Sequence, residues 1–175
     1  MATWRAPSSK ASVGTELEAA VRVDNYSALS LALKQKGADP NGGARDGITP
    51  LYLACWHGRL ECARELLKHK ADVELVTSSG WTPLIAACAW GHTDVAELLL
   101  QHKAEINTED LEGMTPMLAA AARGRADVIK LLLRHEGRTD TIGGDRRAVW
   151  HQSPASRAAY VWHPQSALSL VGLSL

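Results

Sequence analysis

The 175-residue chain predicts an all-α solenoid of stacked helix–turn–helix repeats with β-turns projecting between them. Three observations predict it. The segments Asp46–Leu51 (DGITPL), Ser79–Leu84 (SGWTPL) and Glu112–Met117 (EGMTPM) recur at a spacing of 33 residues. Each carries a Thr-Pro pair that reads as a helix start. Downstream, other positions repeat in phase: Ala54, Ala87 and Ala120, then Gly58, Gly91 and Gly124, then the pairs Leu66-Leu67, Leu99-Leu100 and Leu132-Leu133.

Taken in chain order, Met1 to Gly14 is small, polar and basic, and reads as a short flexible lead-in with no secretory apolar stretch. A degenerate first copy, Thr15 to Ala44, lacks the Thr-Pro start and closes on Lys36–Asn41 (KGADPN). Its Lys34 stands where later copies carry the second leucine, which suits a capping repeat with a polar outer face. In the copies at 45–77, 78–110 and 111–144, the hydroxyls of Thr49, Thr82 and Thr115 are placed to accept from a free N–H of the first helical turn. Pro50, Pro83 and Pro116 then occupy the first helical position, where no N–H is missed. Gly58, Gly91 and Gly124 follow about two turns later, where a left-handed residue ends one helix and lets the chain double back. The second helices carry apolar stripes such as Val95, Leu98 and Leu99, which one hairpin cannot bury alone. The hairpins must therefore stack. After Asp140 the pattern stops, and Asp145 to Leu175 has no clear period.

The pattern G-x-T-P-L-x-x-A at the head of a 33-residue helical hairpin resembles the ankyrin repeat, over Thr15 to Gly144. Two departures stand out. The family's usual His after Thr-Pro-Leu is Tyr52, Ile85 and Leu118 here, and the Gly that usually ends the second helix is Lys70, Lys103 and Glu136. A left-handed residue other than Gly costs ~1–2 kcal/mol, so these ends either close differently or weaken the array.

Composition narrows the function classes. Lys plus Arg number 19 and Asp plus Glu 19, so no net basic field favours nucleic acid or an anionic membrane. The balance hides one asymmetry: residues 79–111 carry five acids against Lys103, a face for a basic partner or simply a solvated surface. No segment approaches the ~20 apolar residues of a membrane helix. Cys55, Cys62 and Cys88 form neither an even disulfide set nor a metal pair, and fit a reducing intracellular compartment, cytoplasmic or nuclear. Cys55 and Cys88 adjoin the alanine column and read as core filler rather than nucleophiles. His69, His102 and His135 recur in phase, but equivalent residues of stacked helices lie ~8–10 Å apart, too far to share a zinc ion at ~2 Å from each ring. Gly42-Gly43 and Gly143-Gly144 lack the Lys and Ser/Thr of a phosphate loop. No catalytic residue, cofactor site or metal site is expected.

The tryptophans carry the functional reading, since the chain has six of them and no Phe. In proteins resembling this one, partners usually dock on a concave face built from the projecting turns and the first helix of each hairpin. The turn positions Ile48, Trp81 and Met114, with Trp56, His57, Trp90 and Arg123 just ahead of the mid-repeat glycines, are expected to gather there, alongside Arg45 and Asp46 at the turn tip. Trp and Arg are enriched among residues that dominate binding energy; the competing reading packs these rings along the core edge. The expected function is a protein–protein interaction module, an adaptor or scaffold, not an enzyme and monomeric on its own. The alternative is a single-partner inhibitory or regulatory subunit that occludes an enzyme's active site.

Overall fold

The computed structural model describes residues 10–35, 38–42 and 46–136. They form eight helices arranged as four hairpins: α1 (Lys10–Arg22) with α2 (Tyr26–Leu33), α3 (Pro50–His57) with α4 (Leu60–Lys68), α5 (Pro83–Trp90) with α6 (Thr93–Gln101), and α7 (Pro116–Ala122) with α8 (Ala126–Glu136). First helices contact first helices along the stack and second helices contact second helices, giving two layers. The all-α solenoid of helix–turn–helix units expected from the repeat is the observed architecture.

Local chemistry explains each start. The hydroxyls of Thr49, Thr82 and Thr115 accept from the amides of Tyr52, Ile85 and Leu118 at 3.0, 3.1 and 3.2 Å, with proline at the head of each helix. In the first copy Asn25 replaces this device, its side chain accepting from Ala28 N–H at 3.0 Å. Helix α1 starts at Lys10, so Lys10 to Gly14, read from the sequence as the end of a flexible lead-in, are helical. A single glycine costs a helix only about 1 kcal/mol, and the helix fully buries Leu17 and Val21 further along. Residues 1–9, Arg45 and the tail 145–175 lie outside the described residues.

Between the layers runs one main core, with Leu51, Leu66, Leu84, Leu99 and Leu132 almost wholly buried and Ala54, Ala87 and Ala120 stacked in phase at zero exposure. Small residues in that column let adjacent first helices approach closely. The capping hairpin is joined to the next by a buried carboxylate: Glu65 on α4 accepts from Ser30 Oγ at 3.0 Å and Tyr26 Oη at 3.2 Å, both on α2, and pairs with Lys68 at 3.2 Å. Burial alone would raise the Glu65 pKa, but these donors outweigh it and hold the carboxyl below its ordinary value. Lys34 of this first hairpin is exposed, and so are Val23 and Leu31.

The second helices end in the conformation that glycine would favour, adopted by lysine. Lys70 and Lys103 have φ of 65° and 67°. Ala71 and Ala104 donate their amides to Leu66 and Leu99 carbonyls at 3.0 Å, and Lys70 and Lys103 donate theirs to Leu67 and Leu100 at 3.0 Å, the paired bonds of a Schellman closure. The helix ends therefore close normally, at the cost of a strained backbone. Lys103→Gly is expected to stabilise the protein by about 0.5–1 kcal/mol, glycine's larger unfolded-state entropy offsetting part of the relieved strain. A rise in the urea midpoint at unchanged slope checks it.

Candidate functional site

The projecting turns hold their central side chains rigidly. Trp81 N–H donates to Thr77 Oγ1 at 3.1 Å while its carbonyl accepts from Thr77 N–H at 3.0 Å. Met114 repeats the arrangement with Asp110, its amide donating to Oδ1 at 2.8 Å and its carbonyl accepting from Asp110 N–H at 3.1 Å. Neighbouring turns are tied edge to edge, Ser78 N–H to Asp46 O at 2.8 Å and Leu111 N–H to Ser79 O at 3.3 Å. A second pair of bonds links them lower down, from Asp72 N–H to Asn41 Oδ1 and from Glu105 N–H to Glu74 Oε1, both 2.9 Å. Trp81 thus sits on a turn hydrogen-bonded to the turns on both sides of it.

On this frame the rings meet. Trp56, near the end of α3, lies 6.0 Å from Trp81 and 4.8 Å from Trp90 between ring centroids, and Tyr52 adjoins Trp56 at 5.9 Å. The interplanar angles, 37° to 59°, are tilted contacts that suit ring quadrupoles. The guanidinium of Arg123 lies 4.3 Å from the Trp90 ring centroid. All three tryptophans are half-buried, resting on the core with part of each ring facing solvent. Trp81, Trp90 and Met114 pack together over a small satellite core of Ile85, Ala89 and Ala119. Ile48 packs on the main core.

Other candidates fall beside this cluster. Asp46 is exposed and left-handed at φ 57°, and it joins the turn-to-turn ladder through its carbonyl. His57 is exposed at the end of α3, its pKa lowered by desolvation and then by the positive charges of Arg59 and Arg22. Tyr52, absent from the sequence-based set, was legible in principle, since it stands one helical turn ahead of Trp56 on the same face. Also unanticipated were two bridges at the hairpin bends: His92 Nε2 lies 3.3 Å from Trp56 O, and Arg125 Nε donates to Ala89 O at 3.3 Å, each reaching back to the preceding repeat.

The three cysteines are buried free thiols. Burial pushes the Cys88 thiol up to about 12, and burial with the adjacent Asp24 pushes Cys62 up to about 11, so neither is a thiolate at neutral pH. His69 and His102 cap the ends of α4 and α6.

Family models for ankyrin repeats match residues 17–110, as three copies, and a single ankyrin repeat matches 112–142. This chain belongs to the ankyrin repeat family. No curated protein matches it. Ankyrin repeats are protein–protein interaction modules, and the aromatic cluster lies on this repeat stack. None of the described helices of this ankyrin stack is long and apolar enough to cross a membrane.

Proposed function

We propose that the chain is an adaptor or scaffold whose partner protein docks on the concave face, with Trp56, Trp81 and Trp90 as the principal anchors and Ile48, Met114, His57 and Arg123 around them. One observation carries this reading: rings from adjacent repeats converge within 4.8–6.0 Å and still keep part of their surface in water. A preformed aromatic surface on a hydrogen-bonded frame loses little side-chain freedom when a partner binds. Large, rigid, half-exposed rings are the groups that dominate binding energy.

Trp81→Ala and Trp90→Ala are each expected to weaken partner binding by about 2 kcal/mol or more, with far-UV circular dichroism close to wild type. The measurement is affinity capture with the intact chain and with the Trp81/Trp90 double variant, read by mass spectrometry and followed by titration of the partner recovered. Partners lost only from the variant support the reading. Equal loss of helicity and binding would assign the rings to the core edge instead. A single tight partner that is itself an enzyme, inhibited on binding, would favour an occluding subunit over an adaptor.

A further inference from the structure

Resting on that docking reading, we infer that the Trp90–Arg123 pair is a receptor for a side-chain carboxylate: the partner segment carries an Asp or Glu beside the bulky apolar residue that seats on the tryptophans. The pair joins two repeats, because Trp90 and Arg123 occupy the same position in successive copies, each just ahead of its mid-repeat glycine. The Arg123 guanidinium carbon sits over the Trp90 ring at 4.3 Å from its centroid, a cation–π distance. A stacked guanidinium still directs its N–H groups outward in its own plane, a fork that matches a carboxylate.

Among the described residues that fork has no carboxylate. The acids nearest to Arg123 in sequence, Glu112 and Asp127, form no ion pair with it, and Asp127 is engaged by Lys130 at 3.4 Å. A second, independent group at the same place also lacks an acceptor. The indole Nε1 of Trp90 is buried with no hydrogen-bond partner among the described residues, an N–H left unsatisfied. Arg123 is exposed and rests over this ring. Two donor groups of the same residue pair thus lack an acceptor among the described residues. His57 precedes Trp90 at the equivalent position with Arg22 and Arg59 near it, Arg59 being itself paired with Asp24 at 3.1 Å. Asp94 and Glu97, acids of the third repeat, stand on α6 in the other helix layer. A partner approaching along the row of first-helix ends therefore meets Arg123, Arg22 and aromatic faces, with the acids Asp46, Asp110 and Glu112 set on the projecting turns.

The test uses the full chain and a library of random linear peptides displayed without a free C-terminus. Selected peptides are expected to be enriched in Asp or Glu next to a Trp, Phe or Leu. Their affinity is expected to fall about tenfold or more with Arg123→Gln, and to recover only in part with Arg123→Lys, which restores charge without the planar fork. Selection on Arg123→Glu is expected to return Lys or Arg in place of the acid. Circular dichroism of each variant verifies the fold. Peptides that need Trp81 but show no acidic enrichment, or that ignore Arg123→Gln, overturn the carboxylate assignment and leave the docking reading standing. Peptides indifferent to Trp81→Ala, or an empty selection, overturn both.

Discussion

Gly47→Ala is expected to destabilise the protein by about 3 kcal/mol or more, and the expected cause is the spacing between repeats rather than the turn alone. Gly47 has φ of +75° at the tip of a projecting turn. A Cβ there would run into the carbonyl oxygen of Val76 and lie 2.7 Å from Thr77 Cα, both backbone atoms of the next turn. Neither can rotate away. Relief requires the two turns to separate, which stretches the 2.8 Å bond from Ser78 N–H to Asp46 O and disturbs the Thr77 contacts that hold Trp81. Gly124 supplies the internal control, since its φ is +66° but nothing lies within 4 Å of a Cβ added there. Gly124→Ala should cost only the backbone term, about 1 kcal/mol. Urea melts of the two variants side by side measure the difference; similar losses would mean that the turns are not packed as closely as described.

Leu99→Ala is expected to cost about 3–5 kcal/mol. Leu99 lies on α6 at zero exposure, and α6 contacts α4 on one side, α8 on the other and α5 within its own hairpin. Its carbonyl also receives the Ala104 amide that closes the helix. A cavity at this point loosens three elements at once. Because each repeat touches only its neighbours, stability in such arrays is close to a sum of unit and interface terms, and an interior defect weakens the coupling of both ends. The expected melt therefore has a midpoint lower by about 1 M urea or more and a reduced slope, as the end repeats begin to unfold separately. A unchanged slope with a small midpoint shift would mean that the neighbouring helices close over the cavity.

These two substitutions also mark how far the sequence could be read. The Thr-Pro starts, the paired leucines and the 33-residue spacing were legible because each depends on chemistry within a few residues: a hydroxyl three positions before an amide, a ring that fixes φ, a stripe at helical period. Register alone leads to the expectation that Trp56, Trp81, Trp90 and Met114 gather with Ile48; the rings of the three tryptophans do meet, while Ile48 packs on the main core. How the rings meet is not legible in register. Trp56 and Trp90 occupy different positions within their repeats, and they approach to 4.8 Å only because a side chain of that size leans across the boundary between hairpins. Arg123 over Trp90 is a contact of the same kind, between equivalent positions of neighbouring copies.

The closure at Lys70 and Lys103 shows the division most clearly. Sequence left two outcomes open there, a different helix end or a strained one. The tertiary structure decided for strain, because the next turn must leave the helix in the direction that lets it bond to the turn before it. What the sequence determined by itself was the unit: its length, its caps and its apolar stripe, all set by interactions short along the chain. What only the tertiary structure decided was everything made between units, the interlocked turns, the Glu65 clamp and the aromatic cluster. Those contacts join residues some 25 to 39 positions apart, and their geometry follows from how closely the hairpins stack rather than from any local preference.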